Sequence, residues 1–172
     1  MQIADRADKA QSAAATSNIV IRLLVGDQDA AAFRALNEEW ITCYFTLEEK
    51  DRETLGDPEN TILTKGGRIL MMDADGKAVG CVALIPAGDG VFELSKMALS
   101  PELRGRGMGR RLLEHAIGEA RQMGARSLFL GSSTKLKNAV HLYESVGFQH
   151  VPAERVPLAG YTRADVFMEM LL

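Results

Sequence analysis

Ser100-Pro101-Glu102-Leu103-Arg104-Gly105-Arg106-Gly107-Met108-Gly109-Arg110 is the stretch on which the reading of this chain turns. It follows an apolar run, Val91 to Leu99, and precedes a long amphipathic segment, so it reads as the turn of a strand–turn–helix unit. Gly105, Gly107 and Gly109 alternate with other residues and allow backbone conformations that side chains would forbid. The N–H groups of such a turn, with those of the first helical turn, converge on one point, and the helix dipole adds partial positive charge there. Arg104, Arg106, Arg110 and Arg111 gather cations in a chain whose net charge is −3. A phosphate or diphosphate is the ligand that suits such a place. A Walker A loop would need Gly-Lys followed by Ser or Thr, whereas Arg110-Arg111 follow Gly109. A dinucleotide fingerprint would space its glycines G-x-G-x-x-G, and here they run G-x-G-x-G. The residues alone leave one rival open, a glycine-rich connection with a solvated, basic helix start.

Outward from the turn, the remaining pattern is mixed. Ile19 to Val25 reads as a strand, and Asp27 is placed to cap a helix carrying Ala31, Ala32, Ala35, Leu36 and Trp40. Thr46 to Leu55 reads as a second helix, with Thr46 and Glu49 as its capping box. Arg68 to Met72, the Asp75-Gly76 turn, Lys77 to Pro86 and then Val91 to Leu99 form an antiparallel meander. Met108, Leu112, Leu113, Ala116, Ile117, Ala120 and Met123 share one helix face that stops at Gly124. Ser127 to Leu130 is a strand, Leu136 to Val146 a helix stopped by Gly147, and Phe148 to Val151 and Ala164 to Leu171 are closing strands. Strands first, then alternating strands and helices, give an α/β (α+β) class with a mixed sheet and helices on both faces. There is no internal repeat. Residues 19–172 read as one domain behind a flexible extension, residues 1–18.

Composition narrows the partners. Of 172 residues, 47% are apolar and 25% charged, enough for a real core and inconsistent with disorder. The mildly acidic balance argues against a nucleic-acid partner. Cys43 and Cys81 are isolated, so no zinc or other metal site is expected, and they suit a reducing compartment. No stretch nears the roughly 20 apolar residues of a membrane span, and the first eighteen lack the apolar core of a leader. The expectation is a cytoplasmic protein with no membrane partner.

Downstream lies Asn138-Ala139-Val140-His141-Leu142-Tyr143-Glu144-Ser145-Val146-Gly147-Phe148. This segment resembles the N-x-x-x-L-Y-x-x-x-G-F motif of the GNAT superfamily of acyl-CoA-dependent N-acyltransferases. Arg104, Gly107 and Gly109 match the same family's [Q/R]-x-x-G-x-[G/A] signature. The likeness runs from about Arg68 to Val151, and more loosely to Tyr161-Thr162-Arg163 and Met168-Glu169. It implies a mostly antiparallel sheet of about 6–7 strands, splayed between the fourth and fifth. Acetyl-CoA, as acyl donor, would lie in that splay. Its pantetheine arm would pair with the backbone of Met97, Ala98 and Leu99, and its diphosphate would rest on Arg104, Gly105, Arg106, Gly107, Met108, Gly109 and Arg110. Asn138 would contact the pantetheine arm or a bound water. No metal is needed.

For the chemistry, the resemblance assigns Tyr143 as general acid at the CoA sulfur and Glu93 as base for the amine. Each has a plainer reading: a tyrosine packed in the core, and a carboxylate paired with Lys77 or Arg68 across the sheet. His115, His141 and His150 carry no expected role. Glu38, Trp40, Tyr44, Tyr161 and Arg163 are candidates for the acceptor site, with Arg163 suited to a substrate carboxylate. The expected activity is transfer of acetyl to a primary amine of a small molecule or amino acid, by direct attack in a ternary complex. Two rivals remain, a protein or peptide N-acetyltransferase and a non-catalytic acyl-CoA-binding regulatory domain. A homodimer is expected on family grounds alone.

Overall fold

The computed structural model describes residues 17–157 and 161–172. Most of the expected extension, residues 1–16, and the loop residues 158–160 lie outside that range. Asn18 does belong to the fold. Its N–H donates to Asp75 Oδ1 at 2.9 Å, and its carbonyl accepts from Asp75 N–H at 3.0 Å.

Seven strands form one sheet in the order β1-β2-β3-β4-β5-β7-β6. In the chain they are β1 (Ile19–Leu23), β2 (Arg68–Ala74), β3 (Lys77–Pro86), β4 (Val91–Leu99), β5 (Ser127–Ser132), β6 (Gln149–His150) and β7 (Val166–Leu171). Every neighbouring pair is antiparallel except β4–β5, which is parallel. The helices are α1 (Gly26–Tyr44), α2 (Glu49–Gly56), α3 (Met108–Gln122) and α4 (Lys137–Val146), with a π-helical turn over Glu59–Leu63.

Alternation along the strands builds two cores. On β2, Leu70 and Met72 point toward Leu112, Leu113 and Ala116 of α3, while Ile69 and Met71 point toward Phe33 and Ile41 of α1. The meander is held by its turns, with Asp75 at φ 51° and Gly76 at φ 80°, the left-handed pair a tight hairpin requires.

Two local expectations are corrected. Helix α1 starts at Gly26 with no side-chain cap from Asp27; instead Asp29 turns inward, accepting from Val25 N–H at 2.8 Å and pairing with Arg22. Its buried face is Asp29, Phe33, Asn37 and Ile41, because the large side chains of Phe33 and Ile41 displace the alanines; Ala31 and Ala35 are exposed. Helix α2 begins at Glu49, and its capping box uses Glu48 and Asp51 rather than Thr46 and Glu49.

The feature that makes room for a site lies in β4. It pairs with β5 only through Val91↔Ser127, Phe92↔Leu128 and Glu93↔Phe129, after which the two strands part. On its other side, β4 carries one extra residue. Cys81 faces Ala98 and Ala83 faces Ser95, so two steps along β3 match three along β4. Lys96 absorbs the bulge at φ 54°.

Candidate active site

Where β4 and β5 part lies a groove of about 570 Å³, with a smaller cavity of about 190 Å³ beside it. Both are lined by Trp40, Met97, Leu136, Ala139 and Tyr143, so these residues mark the junction.

The groove gathers most of the residues expected to hold a diphosphate-bearing ligand: Met97, Ala98, Leu99, Arg104, Gly105, Gly107, Gly109, Arg110 and Asn138. Gly105 and Gly107 adopt φ 71° and 76°, and a Cβ on either would meet no atom within 4 Å. Their openness to the groove and their left-handed backbone are what close approach of a ligand demands. Gly107 caps the start of helix α3 without a side-chain acceptor, so no side chain of the cap occupies the helix's first N–H groups, and Gly107 and Gly109 line the groove. At Gly109 a Cβ would come within 3.4 Å of Leu99 and Leu142, so glycine also lets the helix start sit against the strand.

The arginines divide their work. Arg104 donates from Nε and Nη2 to the Leu99 carbonyl at 3.3 and 3.1 Å, tying the turn to the end of β4. Arg110 lines the groove while bound to Glu114 at 2.9 Å and Ser145 Oγ at 3.1 Å. Arg106 is exposed outside the groove wall, and Met108 packs on the α3 core, so only their backbones belong to the turn. Lys135 and Lys137 supply groove cations that the motif did not reveal.

Tyr143, on α4, stands with its ring edge-on to Phe148 at 5.9 Å between centroids. Burial pushes its hydroxyl up to about 12, so it is protonated at neutral pH. The ring packs against the core, as the plainer reading expects, and the residue also lines both spaces.

Glu93 lines the smaller cavity. Burial pushes its carboxyl up, and Lys50, Lys96 and a hydrogen bond with Ser95 oppose that without cancelling it. The expected cross-strand pairing is absent, since Arg68 is held by Glu119 and Ile85 lies opposite Glu93 in β3.

Of the acceptor-site candidates, Trp40, Tyr161 and Arg163 line the cavity, and Tyr44 lines the groove. Glu38 does neither; one helical turn from Arg34, it pairs with that residue at 2.7 Å. Arg163 is committed inside the protein, to Glu48 and Asp51. Sequence reading missed Lys96, which lines the cavity, the fully buried Asp51 behind it, and the half-buried Glu48. Lys96 Nζ donates to Asp51 Oδ1 at 2.6 Å and to Tyr161 Oη at 2.8 Å. Burial alone would raise Asp51, but hydrogen bonds from Arg163, Lys96 and the Glu48 N–H hold its carboxyl well below the usual range. A lysine in the middle of a strand was the available signal, because a cation on an inward position demands a buried partner.

Comparison with known proteins agrees with this geometry. Residues 32–148 match the acetyltransferase (GNAT) family, and the chain belongs to that family. An uncharacterized N-acetyltransferase of Schizosaccharomyces pombe is 31% identical over 137 residues, covering 77% of this chain and 84% of that protein. A GNAT-family acetyltransferase from Staphylococcus aureus Mu50 has the same fold, with a TM-score of 0.81 at 18% identity over 90% of this chain and 99% of that one. The structure of yncA from Salmonella typhimurium, solved with its cofactor acetyl-CoA, superposes with a TM-score of 0.70 at 24% identity, covering 90% and 94%. The chain is therefore an acyltransferase with the GNAT fold. Among the described residues, no cluster of side chains could hold a metal ion, and no helix is long and apolar enough to cross a membrane.

Proposed function

We propose that the protein transfers an acetyl group from acetyl-CoA to the primary amine of a small molecule or amino acid, by direct attack in a ternary complex. The observation that carries this reading is the junction at Tyr143. There a groove with a diphosphate cradle meets a cavity containing a carboxylate of raised pKa. A structural neighbour that holds acetyl-CoA supports the choice of donor. The cradle fits that molecule: Gly105 and Gly107 leave its anionic end room, while the unpaired β4 edge beyond Glu93 offers backbone groups to a pantetheine arm.

In this reading Glu93 accepts the proton of the incoming ammonium, directly or through water, and frees the nitrogen lone pair. The nitrogen forms its bond to the thioester carbon as the carbon–sulfur bond breaks. Tyr143 gives its proton to the departing sulfur, the acylated nitrogen returns its second proton to the tyrosinate, directly or through water, and the products are an amide and free CoA thiol, with Glu93 releasing its proton to solvent. Asn138 and the Met97–Leu99 backbone hold the donor, Trp40 stands where acceptor and donor meet, and Tyr44 lies along the groove.

The test is CoA release with acetyl-CoA and a panel of amino acids, polyamines, aminoglycosides and peptides. Turnover with small amines is the expected result. Turnover with peptides alone would move the assignment to protein modification, and binding of acetyl-CoA with no turnover on any amine would leave a binding domain.

A further inference from the structure

Arg163 has the right charge to receive a substrate carboxylate, but three of its five N–H donors are already used on Glu48 and Asp51. Nη1 donates to Glu48 Oε2 at 2.9 Å and to Asp51 Oδ2 at 2.7 Å, and Nη2 donates to Asp51 Oδ1 at 2.8 Å. Asp51 is fully buried and does not line the cavity; it acts from behind.

Lys96 and Tyr161 are placed differently. Both line the cavity. An ammonium has three N–H donors, and among the described residues Lys96 Nζ uses two of them, on Asp51 and Tyr161. Tyr161 Oη accepts from Lys96, and its own O–H has no acceptor among the described residues. One N–H and one O–H, on atoms 2.8 Å apart, are thus left to a ligand. That spacing suits the two oxygens of a carboxylate, or one oxygen shared by both donors.

We infer that Lys96 and Tyr161 bind a carboxylate of the acceptor, so that the substrates are amino acids or other small amino-carboxylates. This rests on the acyl-transfer reading of the same cavity. Charge on the wall agrees with it: the lining carries one carboxylate, Glu93, and two cations, Lys96 and Arg163. A zwitterion answers that pattern, with its ammonium toward Glu93 and its carboxylate toward Lys96. The Tyr161 ring is held by cations as well. Arg163 Cζ, Lys96 Nζ and Lys50 Nζ lie 4.4, 4.5 and 4.7 Å from its centroid, which fixes the hydroxyl at the cavity wall. Asp51 becomes a positioning residue: from behind the wall it orients Lys96 and Arg163 and lines no part of the cavity.

The experiment compares kcat/KM for amino acids, their carboxamides and their decarboxylated amines (alanine, alaninamide and ethylamine; phenylalanine, phenylalaninamide and phenethylamine; and so through the common amino acids). The wild-type protein should prefer the free acid to its amide by at least tenfold. Tyr161→Phe, which keeps the ring and the Lys96–Asp51 pair, should erode that preference by roughly tenfold, and Lys96→Met by roughly tenfold to a hundredfold. The change should fall more heavily on KM for the acid than on KM for the amide, a split that general loosening of the fold would not produce. Equal use of acids and amides by the wild type overturns the inference while leaving acyl transfer intact. So does a preference that survives both substitutions. If no amine of any kind reacts, the acyl-transfer reading itself fails and this one falls with it.

Discussion

Asp51→Asn is the perturbation whose size the structure sets most directly. The Asp51 carboxylate is fully buried and accepts from Lys96 Nζ at 2.6 Å, Arg163 Nη1 and Nη2 at 2.7 and 2.8 Å, and Glu48 N–H at 2.9 Å. Asparagine keeps the shape but removes the charge and turns an N–H toward a cation. Arg163 retains Glu48, whereas the Lys96 side chain, only 4% exposed, is left a buried cation facing a neutral amide. Breaking a buried pair from one side costs about 3–5 kcal/mol. Against a total of about 5–15 kcal/mol that is a large fraction, equivalent to a fall in Tm of roughly 10 °C. Urea unfolding followed by circular dichroism measures it, with Lys96→Met and the double variant beside it. The double variant should be more stable than Asp51→Asn, because it removes the stranded cation. The sign with pH follows from the depressed pKa. Stability contributed by Asp51 is complete above its ordinary value of 3.8 and is lost only as pH falls below that toward the folded-state value. The gap between wild type and variant should therefore hold from about pH 7 to about pH 4 and close below it. A loss under about 1 kcal/mol, or a gap that has closed by about pH 5.5, would refute the account.

Tyr143→Phe should leave acetyl-CoA affinity within about twofold by calorimetry and lower kcat by about 10²–10⁴-fold; an unchanged kcat removes its role as acid. Glu93→Gln should lower kcat/KM and abolish the rising acid limb of its pH profile. Because burial raises Glu93, that limb in the wild type lies above the ordinary carboxylate value of 4.5, and a limb at or below it would contradict the assignment. Gly107→Ala places a side chain at φ 76°, costs roughly 1–2 kcal/mol of stability, and should weaken acetyl-CoA binding; unaltered affinity by calorimetry would show that the turn does not grip the donor.

The groove is legible in the sequence because its chemistry is local. Arg104, Gly107 and Gly109 fall within one turn, and the conformations that glycine alone adopts freely leave a pattern in adjacent residues. The meander is legible for the same reason, through Asp75-Gly76 and through alternation along β2 and β3. The acceptor cavity is not. Its wall joins Asp51 of α2, Lys96 of β4 and Arg163 near the C-terminus, whose separations of 45 and 112 residues place them beyond any periodicity. Arg163 stands out as a cation on a loop, but nothing in its neighbours tells whether its partner is a ligand or an Asp51 already in the protein. Glu48 and Asp51 mislead for a related reason. Thr46 with Glu49 fits the same capping pattern in an earlier register, and what selects Asp51 is its burial against Lys96 and Arg163, a tertiary demand.

One inserted residue explains why a single strand serves both spaces. Ahead of the bulge, Phe92 and Leu94 of β4 enter the α3 core, while Glu93 and Ser95 face the acceptor cavity. A strand without a bulge would keep that phase, sending residue 96 into the α3 core and residue 97 to the opposite face. With Lys96 in the left-handed region the phase changes. Met97 and Leu99 turn to the α3 and α4 side and line the groove, and Lys96 joins Glu93 and Ser95 in lining the cavity. Lysine in that conformation costs about 1–2 kcal/mol that glycine would not. The strained backbone and the buried charge thus fall on one residue, which joins the bulge to the two-sided site. Lys96→Gly relaxes the backbone but abolishes the pair, and so separates the two: donor binding should persist while acceptor KM rises. Equal loss of both would mean that the ion pair, and not the bulge, holds the groove open.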